Sequence, residues 1–155
     1  MGKNKKPKVS TKLTDVITET SIENGQTQFV ISYKYLCHNN SKYSMKSIKD
    51  NKIKIQYYND FIKKISDYSQ LDNFKAHISS NTWYRNSNHI HPIDWNDTRI
   101  REKNFSCLSS KLMEQVKGDC YQLGINHVFR IHGFFIENIF YVVWLDPNHE
   151  LYPRK

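Results

Sequence analysis

The chain has 155 residues and a formal net charge of +8. That length suits one domain and leaves little room for two. Hydrophobic residues make up only 38% of it, yet ten Tyr, eight Phe and three Trp supply apolar area in large units. No stretch is long and apolar enough to span a membrane, and no signal-peptide run is visible, so a membrane protein is not expected. The cationic excess favours a polyanionic partner, nucleic acid or an acidic protein.

The first 26 residues are polar. Lys3, Lys5, Lys6, Lys8 and Lys12 carry five of the eight excess charges before any acid appears, and the segment reads as a basic, flexible tail. A single domain is expected over 27–155. Its first strand is Thr27 to Leu36, where Phe29, Ile31, Tyr33 and Tyr35 alternate with Gln28, Val30, Ser32 and Lys34. An amphipathic helix follows from Lys52 to Gln70. Its apolar positions are Tyr58, Phe61, Ile62, Ile65 and Tyr68, with Lys63, Lys64 and Asp67 outside. A second, short helix covers Asp72 to Ser79.

Residues from Ser80 to Lys103 read as loop, because Pro92 stops a helix in NHIHPIDW. Phe105 to Leu108 is a candidate short strand, Lys111 to Val116 is ambiguous, and Asp119 to Gly124 is a strand. Val128 to Ile136 and Ile139 to Leu145 are the strongest strands, joined by a Glu137-Asn138 turn in which Asn takes positive φ. FYVVWL is apolar on both faces and belongs in the middle of the sheet. The fold class is therefore α+β: an antiparallel sheet of four to five strands with two N-terminal helices packed on one face, in the order β–α–α–β–β–β–β.

Cys37, Cys107 and Cys120 are odd in number and widely spaced, without a C-x-x-C. This argues against a disulfide framework and a cysteine-built zinc site, and a reducing cytoplasm is the expected setting. His89, His91 and Asp94 have spacings that could ligate a metal, but an HxH in a loop is more often a turn, and neither a metal nor a cofactor is expected.

The chemistry concentrates in the last strand pair. Arg130 and His132 lie two apart on one face, and DPNHELYP brings His149 and Tyr152 to the end of the sheet. These groups would suit RNA cleavage. Arg holds the phosphate with a permanent bidentate charge, His transfers protons near neutrality, and Tyr orients or stacks. The structural alternative pairs Arg130 with Glu137 or Asp146 and leaves His132 and Tyr152 as packing residues. Trp83, Tyr84, Arg85, His89, His91 and Trp95 could stack unpaired bases, unless Trp95 plugs the sheet. Lys52, Lys54, Lys63 and Lys64 could meet phosphates, if they are more than a solvated face.

The element order, the small basic chain and its ending (Arg130 in a late strand, then VVW, then His149 and Tyr152) resemble the RelE/YoeB superfamily of bacterial toxins. The resemblance covers roughly residues 27–36 and 52–152. It implies an mRNA interferase that acts on RNA, on the ribosome, and is held inactive by a cognate antitoxin. Arg130 is then the phosphate-stabilising residue. His149 is the general acid, or shares acid–base work with His132, and Tyr152 orients the substrate. The Asp146-Pro147-Asn148 turn departs from that pattern by separating the last strand from His149, and the upstream base stays open among Lys111, Glu114 and Lys117. Two other readings stand beside this one. The first is a non-catalytic nucleic-acid-binding module. The second is a protein-interaction component of a bacterial toxin–antitoxin or phage-defence system.

Overall fold

The structure, a computed structural model, describes residues 28–98 and 102–152. The tail expected over 1–26 lies outside the described residues. The fold is α+β around a five-stranded sheet. The strands are β1 (Val30–Ser32), β2 (His91–Pro92), β3 (Cys120–Gly124), β4 (Arg130–Ile136) and β5 (Ile139–Asp146), in the spatial order β1-β5-β4-β3-β2. The helices are α1 (Asn51–Ser69), α2 (Phe74–Ser80), α3 (Thr82–Ser87) and α4 (Ser110–Val116). Among the described residues no helix is long and apolar enough to cross a membrane.

The β2-β3-β4-β5 pairs are antiparallel, as expected, while β1 joins β5 in parallel. A parallel neighbour cannot arrive through a hairpin, and here more than a hundred residues separate the two strands. β5 therefore lies between β1 and β4, with its apolar run shielded on both sides. β1 is shorter than the expected Thr27 to Leu36, because the chain turns where Leu36 N–H donates to the Tyr33 carbonyl. In the β4–β5 turn Glu137, not Asn138, takes the left-handed backbone (φ 53). The Asn138 carbonyl instead accepts from Val30 N–H and continues the ladder to β1.

Two stretches expected as loop or left ambiguous are helical, and both carry a side-chain cap. Asn81 accepts from Tyr84 N–H to start α3, and Ser109 accepts from Leu112 N–H to start α4. Phe105 to Leu108 is not a strand. Phe105 turns inward and meets the Trp144 ring edge-on at 4.9 Å, while the backbone closes a turn from Leu108 N–H to the Phe105 carbonyl. The sheet edge there is filled by β2.

The sheet is covered on both faces. On one, α1 and α2 bury Phe61, Tyr68, Phe74 and Ile78 against Phe129, Ile131, Phe135 and Phe140. On the other, Trp144 sits among Tyr43, Trp95, Phe105, Phe134 and Leu151, stacked on Tyr43 at 4.4 Å. Trp95 is thus a core residue rather than a base-stacking one. A β-bulge opposite His132 and Gly133 inserts Val143 as an extra residue in β5, so Val143 and Trp144 both enter this second core. Gly133 permits the close approach, because a Cβ there would run into the Tyr141 carbonyl oxygen and the Phe140 ring. Gly133→Ala is expected to destabilise by about 1–3 kcal/mol, the cost of overpacking, read as a lower urea midpoint at unchanged slope. The gain of about 0.5–1 kcal/mol from removing a strand glycine is too small to offset it.

The cysteine expectation is corrected: Cys37 and Cys107 are disulfide-bonded. An odd count and wide spacing do not show that two loops meet. Here Cys37 N–H donates to the Val143 carbonyl, placing it beside β5 where the segment carrying Cys107 folds over the second core. Cys120 is free and buried, and burial pushes its thiol up to about 12, so it is an inert packing residue.

Candidate active site

A cleft of about 560 Å³ opens at one end of the sheet. Arg130 (β4), His149 and Tyr152 (beyond β5), His91 (β2) and Arg85 (α3) all line it. Beneath it runs a row of polar side chains on one face. His91 is paired in register with Gln122, Gln122 with His132, and His132 with Trp144, two residues before Asp146. Gln122, Arg130, His132 and Asp146 are all buried. Charged and polar groups rarely occupy such positions without bonded partners.

Asp146 ends β5 and is the anchor of this row. Its Oδ2 accepts from His132 Nε2 at 3.1 Å and from Leu151 N–H at 3.0 Å, and its Oδ1 accepts from Glu150 N–H at 2.8 Å. Burial alone would push its carboxyl up. The His132 hydrogen bond and charge, with the two backbone N–H groups, outweigh that and bring it below its ordinary value. Asp146 thereby fixes both the His132 ring and the path of the chain toward Tyr152.

Arg130 is held by the β3–β4 loop. Its Nη1 donates to the Asn126 carbonyl (2.6 Å) and the Phe129 carbonyl (3.0 Å), and its Nη2 to the His127 carbonyl (3.4 Å). That loop is braced by Asn126, whose Oδ1 accepts from Val128 N–H and Phe129 N–H. The guanidinium is thus a permanent charge held in place by three backbone carbonyls.

His91 donates from Nδ1 to the Pro92 carbonyl (2.9 Å), which leaves Nε2 as acceptor of the Gln122 amide (2.9 Å). Burial, opposed by the Pro92 carbonyl and reinforced by Arg130 and His132, lowers its pKa, so the ring is neutral at pH 7. Tyr152 meets His91 edge-on at 5.2 Å and donates to the Asp94 carbonyl at 3.0 Å. Burial raises its hydroxyl to about 12, so it orients rather than ionises. His149 closes a turn with the Asp146 carbonyl and adopts φ 55, and His89, also lining the cleft, adopts φ 52. Left-handed backbone at a non-glycine residue stores about 1–3 kcal/mol and gathers at functional sites.

His132 is fully buried. It is absent from the cleft lining, so it supports the cleft from below and is not positioned to touch a substrate. Its pairing with Asp146 replaces the Arg130–Asp146 pairing that the sequence offered. His132 Nδ1 and Gln122 Oε1 have no hydrogen-bond partner among the described residues.

Other expected residues lie elsewhere. Trp83 is 76% exposed on α3, and Tyr84 packs on the first core with its ring against His77. Lys52 and Lys63 are exposed on α1. Lys64 bonds Asn88 beside the cleft, and Lys54 lines an apolar groove. None of Lys111, Glu114 and Lys117 lines the cleft. Gln122 and Asp146 are the site residues that pattern reading missed. Their signal was a polar residue inside or at the end of an apolar strand, CYQLG and FYVVWLD. His89, His91 and Asp94 line the cleft, but among the described residues no group of three or more His, Cys, Asp and Glu is arranged to hold a metal ion.

The fold and cleft define a small α+β protein with a buried His132–Asp146 pair under a histidine-lined site. The family model described as Uncharacterised protein UU032 matches residues 28–155, and the chain belongs to that family. No curated protein and no solved structure matches it.

Proposed function

We propose that the cleft is the active site of a toxin-type endoribonuclease that cleaves RNA without a metal, by attack of a ribose 2′-hydroxyl on the adjacent phosphate. The observation that carries this reading is the convergence of Arg130, His149, Tyr152 and His91 on one cleft, over the buried His132–Asp146 pair. In the reaction the 2′-oxygen bonds to phosphorus and the bond to the 5′-oxygen breaks, leaving a 2′,3′-cyclic phosphate. Arg130 stabilises the pentavalent phosphate. His91, neutral at pH 7, takes the 2′-hydroxyl proton at Nε2 as the substrate displaces the Gln122 amide. His149 protonates the 5′-oxygen, and Tyr152 positions the substrate. This assignment supplies the base that sequence reading left open.

The same reading makes RNA, free or on the ribosome, the substrate. By the RelE/YoeB resemblance it adds a cognate antitoxin as partner and the cytoplasm as setting. Arg130→Ala and His149→Ala are each expected to lower cleavage by about 10²–10³-fold, with unchanged circular dichroism and in the presence of EDTA. Undiminished cleavage in both variants would overturn the assignment. RNA binding without a cyclic-phosphate product would make the cleft a binding site only. Because burial lowers the His91 pKa from 6.5, the acidic limb of the pH–rate profile is expected below pH 6.5.

A further inference from the structure

On the opposite side of the sheet, α1 carries an apolar stripe that the core does not use. Ile55, Tyr58 and Ile62 recur at i, i+3 and i+7, so they lie in line along the helix. Ile55 is 62% and Ile62 66% exposed. Tyr58 and Ile62 edge a groove of about 590 Å³ whose floor includes Leu36, Met45, Phe61 and Phe129. Soluble proteins seldom leave apolar surface contiguous in this way unless something covers it.

We propose that this groove docks an amphipathic helix of a partner protein, with aliphatic side chains on its inner face and acidic side chains along its flanks. The charge pattern selects the acidic flank. Lys46 and Lys54 line the groove, no Asp or Glu does, and neither lysine pairs with a carboxylate among the described residues. The shape selects a helix. Tyr58 and Ile62, one turn apart, edge the groove, and the stripe continues to Ile55 as about 10 Å of straight seam along which a second helix can pack side by side. Strand addition is the poorer fit, because β1 offers an edge of only three residues. The proposal is independent of RNA cleavage, since the groove and the cleft have no lining residue in common.

The test uses the full chain and three fluorescein-labelled peptides of equal length: an amphipathic Leu/Glu helix, its Leu/Lys counterpart, and a scrambled Leu/Glu sequence. Anisotropy is expected to show saturable binding of the Leu/Glu helix alone. Ile62→Asp, at an exposed position that leaves the fold and RNA cleavage unchanged, weakens it at least tenfold. Lys46→Glu combined with Lys54→Glu shifts the preference to the Leu/Lys peptide. Absence of saturable Leu/Glu binding, equal binding of the scrambled peptide, or indifference to Ile62→Asp would each overturn the proposal. So would sedimentation showing a dimer that Ile62→Asp dissociates, because the groove would then hold a second copy of the chain. Laurate binding abolished by Ile62→Asp would assign the groove to a small amphiphile and overturn it as well.

Discussion

Asp146→Ala is expected to destabilise the protein by about 3–5 kcal/mol, the usual cost of removing one partner from a buried pair. Three donors lose their acceptor together: His132 Nε2, Glu150 N–H and Leu151 N–H. Two of these lie in the segment that carries Tyr152 to the cleft, so the loss reaches the site as well as the core. Asp146→Asn keeps one oxygen for the backbone donors and is expected to lose less, about 1–3 kcal/mol. The pH dependence separates charge from shape. The folded carboxyl lies below its ordinary value. The stabilisation is therefore complete above about pH 4, where the unfolded carboxyl is ionised, and is lost as pH falls through the folded value. Urea unfolding of the parent at pH 7 and in acid should show that loss, and Asp146→Asn should lack this component. Equal midpoints for parent and Asp146→Ala would show that the pair contributes nothing.

The importance of Asp146 could not be read from alternation. A hairpin turning at Glu137-Asn138 without irregularity would place Asp146 opposite Phe129, on the α1 face. The bulge at Val143 shifts the register so that Asp146 is paired with Arg130 and its side chain meets His132. One extra residue moves every later side chain to the other face, and nothing in FYVVWLD marks where it will fall. A similar limit applies to α1. Its period and the inward positions Phe61, Ile65 and Tyr68 were legible, but the width of its buried face was not. The core takes Tyr57, Phe61, Ile65 and Tyr68, while Tyr58 and Ile62, both read as inward, border the groove. By contrast, β4, β5 and the convergence of Arg130, His149 and Tyr152 were legible. They depend on strand direction and on a proline that ends the ladder, and both survive a one-residue shift. Arg85 and His91 were legible as polar loop residues only. Their place at the cleft needed the α3 cap at Asn81 and the pairing of β2 with β3.

Reducing the Cys37–Cys107 bond is expected to cost roughly 4 kcal/mol, because it releases a loop closed across a sequence separation of 70. Against a total stability of about 5–15 kcal/mol for a domain, that is a large fraction, yet it leaves the tertiary contacts intact. Tyr43 still stacks on Trp144, and Phe105 still packs between Trp95 and Trp144. The reduced chain should therefore unfold at a lower urea concentration but show the same near-ultraviolet dichroism below the transition. Cys37→Ser should reproduce the reduced midpoint and remove its dependence on reductant. The attribution is clean because Cys120, buried and with its thiol raised to about 12, is a poor nucleophile for exchange with either partner. Coincident midpoints with and without reductant would mean that native packing, rather than the covalent link, sets the stability. The proposed RNA cleavage is expected to proceed at the parental rate in the Cys37→Ser variant, since the cleft is assembled by β4, β5 and the Asp146 turn and has neither cysteine in its lining.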